Sequence, residues 1–187
     1  MRLFFALTLP DAVRSLLAEL PLSMDHLRWI PVANLHLTLQ FIGKSDIPQV
    51  DAIQQAAGRI EEPAFFLKLN QVGAFPSSTR ASVLWVGVEA ESGLGALHRS
   101  LFESLSSLDL RLEERPFVPH ITVGRTKRGA KTDARDWIAQ KISFESDPFL
   151  ISTFHLYSSE LRPSGAIYRS LASYPLAEQD SAQQSAG

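Results

Sequence analysis

At 187 residues, 45% apolar and 20% charged, the chain has an ordinary globular composition with material for one domain and a sizeable core. A net charge of −2 excludes a global basic field, so a nucleic-acid partner would have to be held locally. The absence of cysteine excludes disulfides, thiolate nucleophiles and Cys-ligated metals, and fits a cytoplasmic home.

The opening apolar run, Leu3 to Leu9, is too short for a signal sequence and meets Pro10-Asp11 where a cleavage site would need small residues. It predicts a strand over 2–9. A helix follows through Leu20, with Val13, Leu16, Leu17 and Leu20 at helical spacing. After a short extended piece and a Pro31–Asn34 turn comes a strand over 35–42, which Gly43 ends. A second helix starts at Ser45, Asp46 or Pro48 and carries Val50, Ile53, Ala57 and Ile60. A strand over 64–72 leads into "GAFPSSTRA", which has the composition of a loop. The second half predicts a strand over 82–88, a helix over 92–108 with a leucine stripe, a strand over 117–123, a short helix in "KTDARDWIAQ", and strands over 149–157 and 166–174 joined by "RPSG". No apolar segment is long enough to span a bilayer. The polar, aperiodic tail after about Leu176 predicts disorder, leaving one domain over 1–175 and a tail over 176–187.

Each half therefore runs strand–helix–strand–helix–strand. This predicts an α+β fold: a bilobal, pseudo-twofold duplication with two antiparallel sheets, helices on the outside and a cleft between the lobes. The second strand of each half carries His-x-Thr, in "NLHLTLQF" and again in "VPHITVGR". By alternation Leu35, Leu37, Leu39 and Phe41 share one face, while His36, Thr38 and Gln40 share the other. In the second copy His120 and Thr122 project opposite Ile121 and Val123. A pseudo-twofold axis would bring the two histidines together across the cleft.

An imidazole titrates near neutrality, so one histidine of a pair can be neutral while its twin is protonated. Such a pair can take a proton from a nucleophile and give one to a leaving group, and two threonine hydroxyls can hold a charged oxygen between them. That set suits in-line attack at phosphorus. The rivals are two merely solvated strand histidines, a zinc site, for which two histidines without nearby carboxylates are too few ligands, and a Ser–His hydrolase, for which no Gly-x-Ser-x-Gly elbow exists.

With "RLFFAL", "LRWIPVANLHLTLQFIGK", "RPFVPHITVGR" and "LYSSELRPSGAIYRSL", the chain resembles the two-histidine (2H) phosphoesterases. It is most similar to their bacterial and archaeal RNA 2′,3′-cyclic phosphodiesterase branch, also called 2′-5′ RNA ligases. The resemblance spans about residues 1–175. It implies metal-independent, cofactor-free hydrolysis of RNA ends or nucleotides bearing a 2′,3′-cyclic phosphate to 2′-phosphomonoesters, with 2′-5′ joining of RNA ends as a side activity; a cytoplasmic monomer is expected. His36 would be the proton donor and His120 the proton acceptor, with Thr38, Thr122 and Arg125 on the phosphate. The alternative is a non-catalytic RNA-end or nucleotide-binding module on the same fold.

By alternation Arg125 faces away from His120, unless a bulge at Gly124 returns it. Lys127, Arg128, Lys131 and Arg135 extend a basic patch beside it. Trp29, Phe41 and Phe75 are candidates for stacking a base, with Phe41 placed on the core face. Of the other histidines, His26 falls in a loop, His98 on a helix and His155 in a strand, where it is the main competitor to the motif pair.

Overall fold

The computed structural model describes residues 1–89, 92–113, 115–162 and 165–178. Its elements are β1 (Arg2–Thr8), α1 (Asp11–Leu17), β2 (Leu27–Trp29), β3 (His36–Lys44), α2 (Ile47–Ala57), β4 (Phe65–Phe75), β5 (Val83–Glu89), α3 (Ser92–Ser106), β6 (His120–Thr126), α4 (Arg135–Gln140), β7 (Phe149–Ile151), β8 (Thr153–Arg162) and β9 (Gly165–Pro175).

The strands form two lobes, β3-β1-β8-β9 and β7-β4-β5-β6, with β2 also on β6, and every strand pairing is antiparallel. The expected two sheets are in fact one hydrogen-bonded path, because β3 and β6 meet at a single register pair, Leu37 opposite Ile121. That pair lies between His and Thr in both motifs, so the pseudo-twofold axis passes through it.

The lobes do not coincide with the sequence halves. β4 belongs to the first half but pairs with β5, and β8 belongs to the second half but pairs with β1. The single strand expected over 149–157 is accordingly two. β7 pairs with β4 in one lobe, Ser152 breaks the ladder, and β8 continues in the other.

Side-chain alternation sends one face of this sheet into a single core. Leu37, Leu39, Ile121, Val123, Leu84 and Val86 are buried there, under Ile53 of α2 and Leu94, Leu97, Leu101 and Leu105 of α3. The leucine spacing places all four α3 side chains on one stripe, and each Leu→Ala change there would cost about 2–5 kcal/mol. α2 begins at Asp46, which makes a capping box with Gln49 and so satisfies two otherwise orphaned N–H groups.

Several boundaries differ from the expected ones. α1 ends at Leu17, in a tighter turn before buried Leu20. β4 runs three residues further than expected, into the predicted loop, carried past a bulge where Gln71 adopts φ 61°. β6 starts at His120 rather than Phe117; Pro119 has no N–H to give a ladder. Gly43, at φ +88°, lies within β3 instead of ending it. Pro163 and Ser164 of the expected turn lie outside the described residues, as does the tail from 179. Ala177, within the expected tail, is tied to the fold through the Glu62 carbonyl.

Candidate active site

On the sheet face opposite the helices, β3 and β6 present the same sequence of environments. His36, Thr38, His120 and Thr122 are half-buried, and the residues between them are buried. At the fourth position of each motif the ladder bulges. Leu39 has no partner between the pairs Ala6–Thr38 and Phe5–Gln40, and Val123 has none between Trp85–Thr122 and Leu84–Gly124. A bulge reverses the facing of everything after it. Arg125 therefore returns to the face of His120, through a bulge at Val123 rather than at the expected Gly124, which pairs with Leu84. In β3 the same device overturns two expectations: Gln40 is 3% exposed and turned to the core, and Phe41 is 56% exposed on the face of His36.

Both imidazoles are oriented alike. His36 Nδ1 lies 2.7 Å from the Asn34 carbonyl and His120 Nδ1 lies 2.8 Å from that of Val118. A carbonyl oxygen only accepts, so each Nδ1 carries a hydrogen and each neutral ring keeps its lone pair on Nε2. The two carbonyls are held differently. Asn34 closes a 3₁₀ turn, and its side-chain amide donates to the Ala166 carbonyl at 3.0 Å. Val118 lies in an extended segment whose neighbour Phe117 stacks on His98 at 4.0 Å.

The two motifs open onto one cavity of about 670 Å³, lined by His36, Thr38, His120, Thr122 and Arg125 together. The cavity is lopsided. The first lobe gives it Phe4, Phe41, Leu161 and Tyr168, whereas the second gives only the β6 side and its continuation, with Arg28 of β2 and Ile30 just after it. Phe4 and Tyr168 lie 5.1 and 5.2 Å from the His36 ring, so that imidazole sits among aromatic rings. Burial lowers the pKa of His36 below its ordinary 6.5; the Asn34 carbonyl works against this, and the positive charges of Arg125 and His120 add to the lowering. No aspartate or glutamate lines the cavity, and no trio of metal-ligating side chains converges among the described residues.

The remaining candidates lie elsewhere. Phe75 packs edge-on to His120 at 5.3 Å but does not line the cavity. Trp29 donates to the Leu22 carbonyl and packs on Trp137. His155 sits beside Thr8 at 3.3 Å, outside the cavity. The basic patch divides: Lys127 and Arg128 line the cavity, Arg135 is paired with Asp133 at 2.7 Å, and Lys131 lines a separate hollow beside His26. Sequence reasoning missed Phe4 and Tyr168 as walls of the site. The signal for Phe41 was present, since it stands five residues after His36 just as Arg125 stands five after His120.

The 2′-5′ RNA ligase superfamily model matches residues 10–162. The chain belongs to that superfamily. An RNA 2′,3′-cyclic phosphodiesterase from Archaeoglobus fulgidus is 34% identical over 176 residues, covering 91% of this chain and 98% of the relative. Among solved structures, a protein of Thermus thermophilus superposes with a TM-score of 0.82 at 27% identity, over 96% of this chain and 100% of its own. Escherichia coli LigT complexed with 3′-AMP gives a TM-score of 0.74 at 28% identity, over 94% and 97%. The same protein has been solved with ATP, NADP+ and phosphate. No helix among the described residues is long and apolar enough to cross a membrane.

Proposed function

We propose that this member of the superfamily hydrolyses RNA 2′,3′-cyclic phosphate ends to 2′-phosphomonoesters, without a metal ion, using His36 as proton donor and His120 as proton acceptor. The activity is the one its curated relatives are named for. The division of labour rests on one observation, the offset of the cavity toward the first lobe.

In a 2′,3′-cyclic phosphate the leaving 3′-oxygen stays on the nucleoside that carries it. The space and the aromatic walls that suit a nucleoside lie on the His36 side, so the 3′-oxygen falls to His36. Water then enters in line from the side of His120. The water oxygen bonds to phosphorus while His120 Nε2 takes its proton. The bond to the 3′-oxygen breaks as His36 Nε2 supplies a proton to it, and solvent exchange resets both rings. Thr38 and Thr122 donate their hydroxyls to the non-bridging oxygens, and Arg125 balances their charge. These donors do the work of a cation, and the described residues of the cavity lining offer no carboxylate to hold one.

Before substrate arrives, the lowered pKa leaves His36 unprotonated at neutrality. An incoming phosphate anion reverses that balance, so the acid is charged by the substrate it acts on. With a 5′-hydroxyl in place of water the same steps, His120 taking the hydroxyl's proton and His36 protonating the departing 3′-oxygen, give a 2′-5′ linkage, a side activity given the excess of water. The absence of cysteine accords with a cytoplasmic protein, and we take the monomer as the working unit.

The test is incubation with RNA ending in a 2′,3′-cyclic phosphate in the presence of chelator. A 2′-phosphomonoester is the expected product. A 3′-phosphomonoester, or loss of activity to the chelator, overturns the mechanism. Tight binding of such an end without turnover would favour a binding module instead.

A further inference from the structure

Arg28 and Arg125 stand directly opposite each other across the β2–β6 ladder. Residues in register put their side chains on one face, and like charges placed so destabilise the pairing. Both line the cavity of the two histidines, as do Lys127 and Arg128 just beyond β6 and Arg2 on the other lobe. Among the described residues no acidic side chain lines that cavity, and none of these five cations is in an ion pair. In a chain of net charge −2 this is a local segregation of charge.

The ladder that holds the arrangement is short but well fixed. The Lys127 N–H donates to the His26 carbonyl at 3.0 Å, and the Ile30 N–H to that of Val123 at 2.8 Å. Trp29, between them, is anchored by the Leu22 carbonyl and by Trp137.

A cyclic phosphodiester carries one negative charge, and Arg125 with the two threonines already meets it. Arg28, Lys127 and Arg128 have nothing to neutralise in that reaction. We infer that these three form a second phosphate subsite, which takes the phosphate on the 5′ side of the terminal ribose. The inference rests on the cyclic phosphodiesterase reading. That phosphate comes either from an internucleotide link or from the 5′-phosphate of a free nucleotide. Strands about 5 Å apart carry two long arginines that reach neighbouring phosphates. Charge-assisted contacts of this kind are the stronger class of hydrogen bond.

The experiment compares three substrates with one terminal base: a nucleoside 2′,3′-cyclic phosphate, its 5′-phosphorylated form, and a dinucleotide ending in it. The wild type should favour a second phosphate about tenfold in kcat/KM, chiefly through KM, and added salt should erase the advantage. A gain confined to the dinucleotide assigns the subsite to the internucleotide link; a gain in the 5′-phosphorylated form alone assigns it to free nucleotides. Arg28→Ala should bring the ratio close to one, and Arg28→Lys should keep most of it. Equal wild-type kcat/KM on all three substrates overturns the subsite, as does an Arg28→Ala loss equal on all three. If none is turned over, the reaction assignment fails instead. Calorimetric affinities of the dinucleotide and the nucleoside for wild type and Arg28→Ala then decide the subsite: a preference that Arg28→Ala abolishes supports it, and equal affinities overturn it.

Discussion

β3 and β6 are the same device built twice and finished differently. Each carries a histidine and a threonine on one face, turns its histidine with a carbonyl two residues upstream, and bulges at the fourth position of the motif. Five residues after the histidine, the copies part: Phe41 in one lobe stands where Arg125 stands in the other. The shared part supplies what a symmetric phosphate needs. In the proposed reaction the differing part decides which way round a nucleotide lies, with aromatic surface for the nucleoside at one end and a guanidinium for charge at the other. On the proposed mechanism, catalysis depends on the resemblance between the strands, and direction on their difference.

The largest expected effects fall on the shared part. His36→Ala and His120→Ala should each lower kcat by about 10²–10⁴-fold, with circular dichroism and Tm close to wild type. Near-normal turnover in either variant would mean the two copies do not act as a pair. The next effects separate the copies. Arg125→Ala should cost roughly ten- to a hundredfold in kcat/KM for any cyclic phosphate, as loss of a charged hydrogen bond does. Phe41→Ala should cost about tenfold, through KM, and only for substrates that carry a base. If Phe41→Ala also weakens a base-free ribose cyclic phosphate, the two positions are not specialised.

The smallest effect is a shift in pH dependence. A donor works only when protonated, and His36 sits below 6.5 in the free protein. The limb of kcat/KM that falls with rising pH should therefore lie below about 6.5, and the matching limb of kcat, which reports the complex, should lie higher. Arg125→Ala removes one of the charges that lowers His36 and should move the kcat/KM limb upward. Coincident limbs in the two profiles would remove His36 from the donor role.

Most of this architecture was legible in the residues. Period-two alternation located the motif strands and leucine spacing located α3, because burial on one face leaves a pattern that composition cannot hide. His36, Thr38, His120 and Thr122 follow from the same alternation and share the cavity. Gln40 and Phe41 did not follow. A bulge adds one residue to one strand only, and nothing in "LTLQF" marks it, whereas Gly124 hinted at the one in β6. The pairing of β4 and β8 with the opposite lobe was equally hidden, since strand propensity names no partner. Phe4 was hidden within the apolar run of the first strand; it is 3% exposed, and the rings that cover it, His36, Phe41, Tyr157 and Tyr168, lie on the site face.

The exchange of third strands makes the halves of the chain inseparable. A cut in the loop between β4 and β5 leaves one fragment with β1 and β3 and another with β8 and β9, so neither fragment holds a whole lobe. Each is the template on which the other's sheet is completed. The two fragments should therefore be unfolded alone and regain the native fold together, which makes this a molecule that can be taken apart and reassembled by mixing.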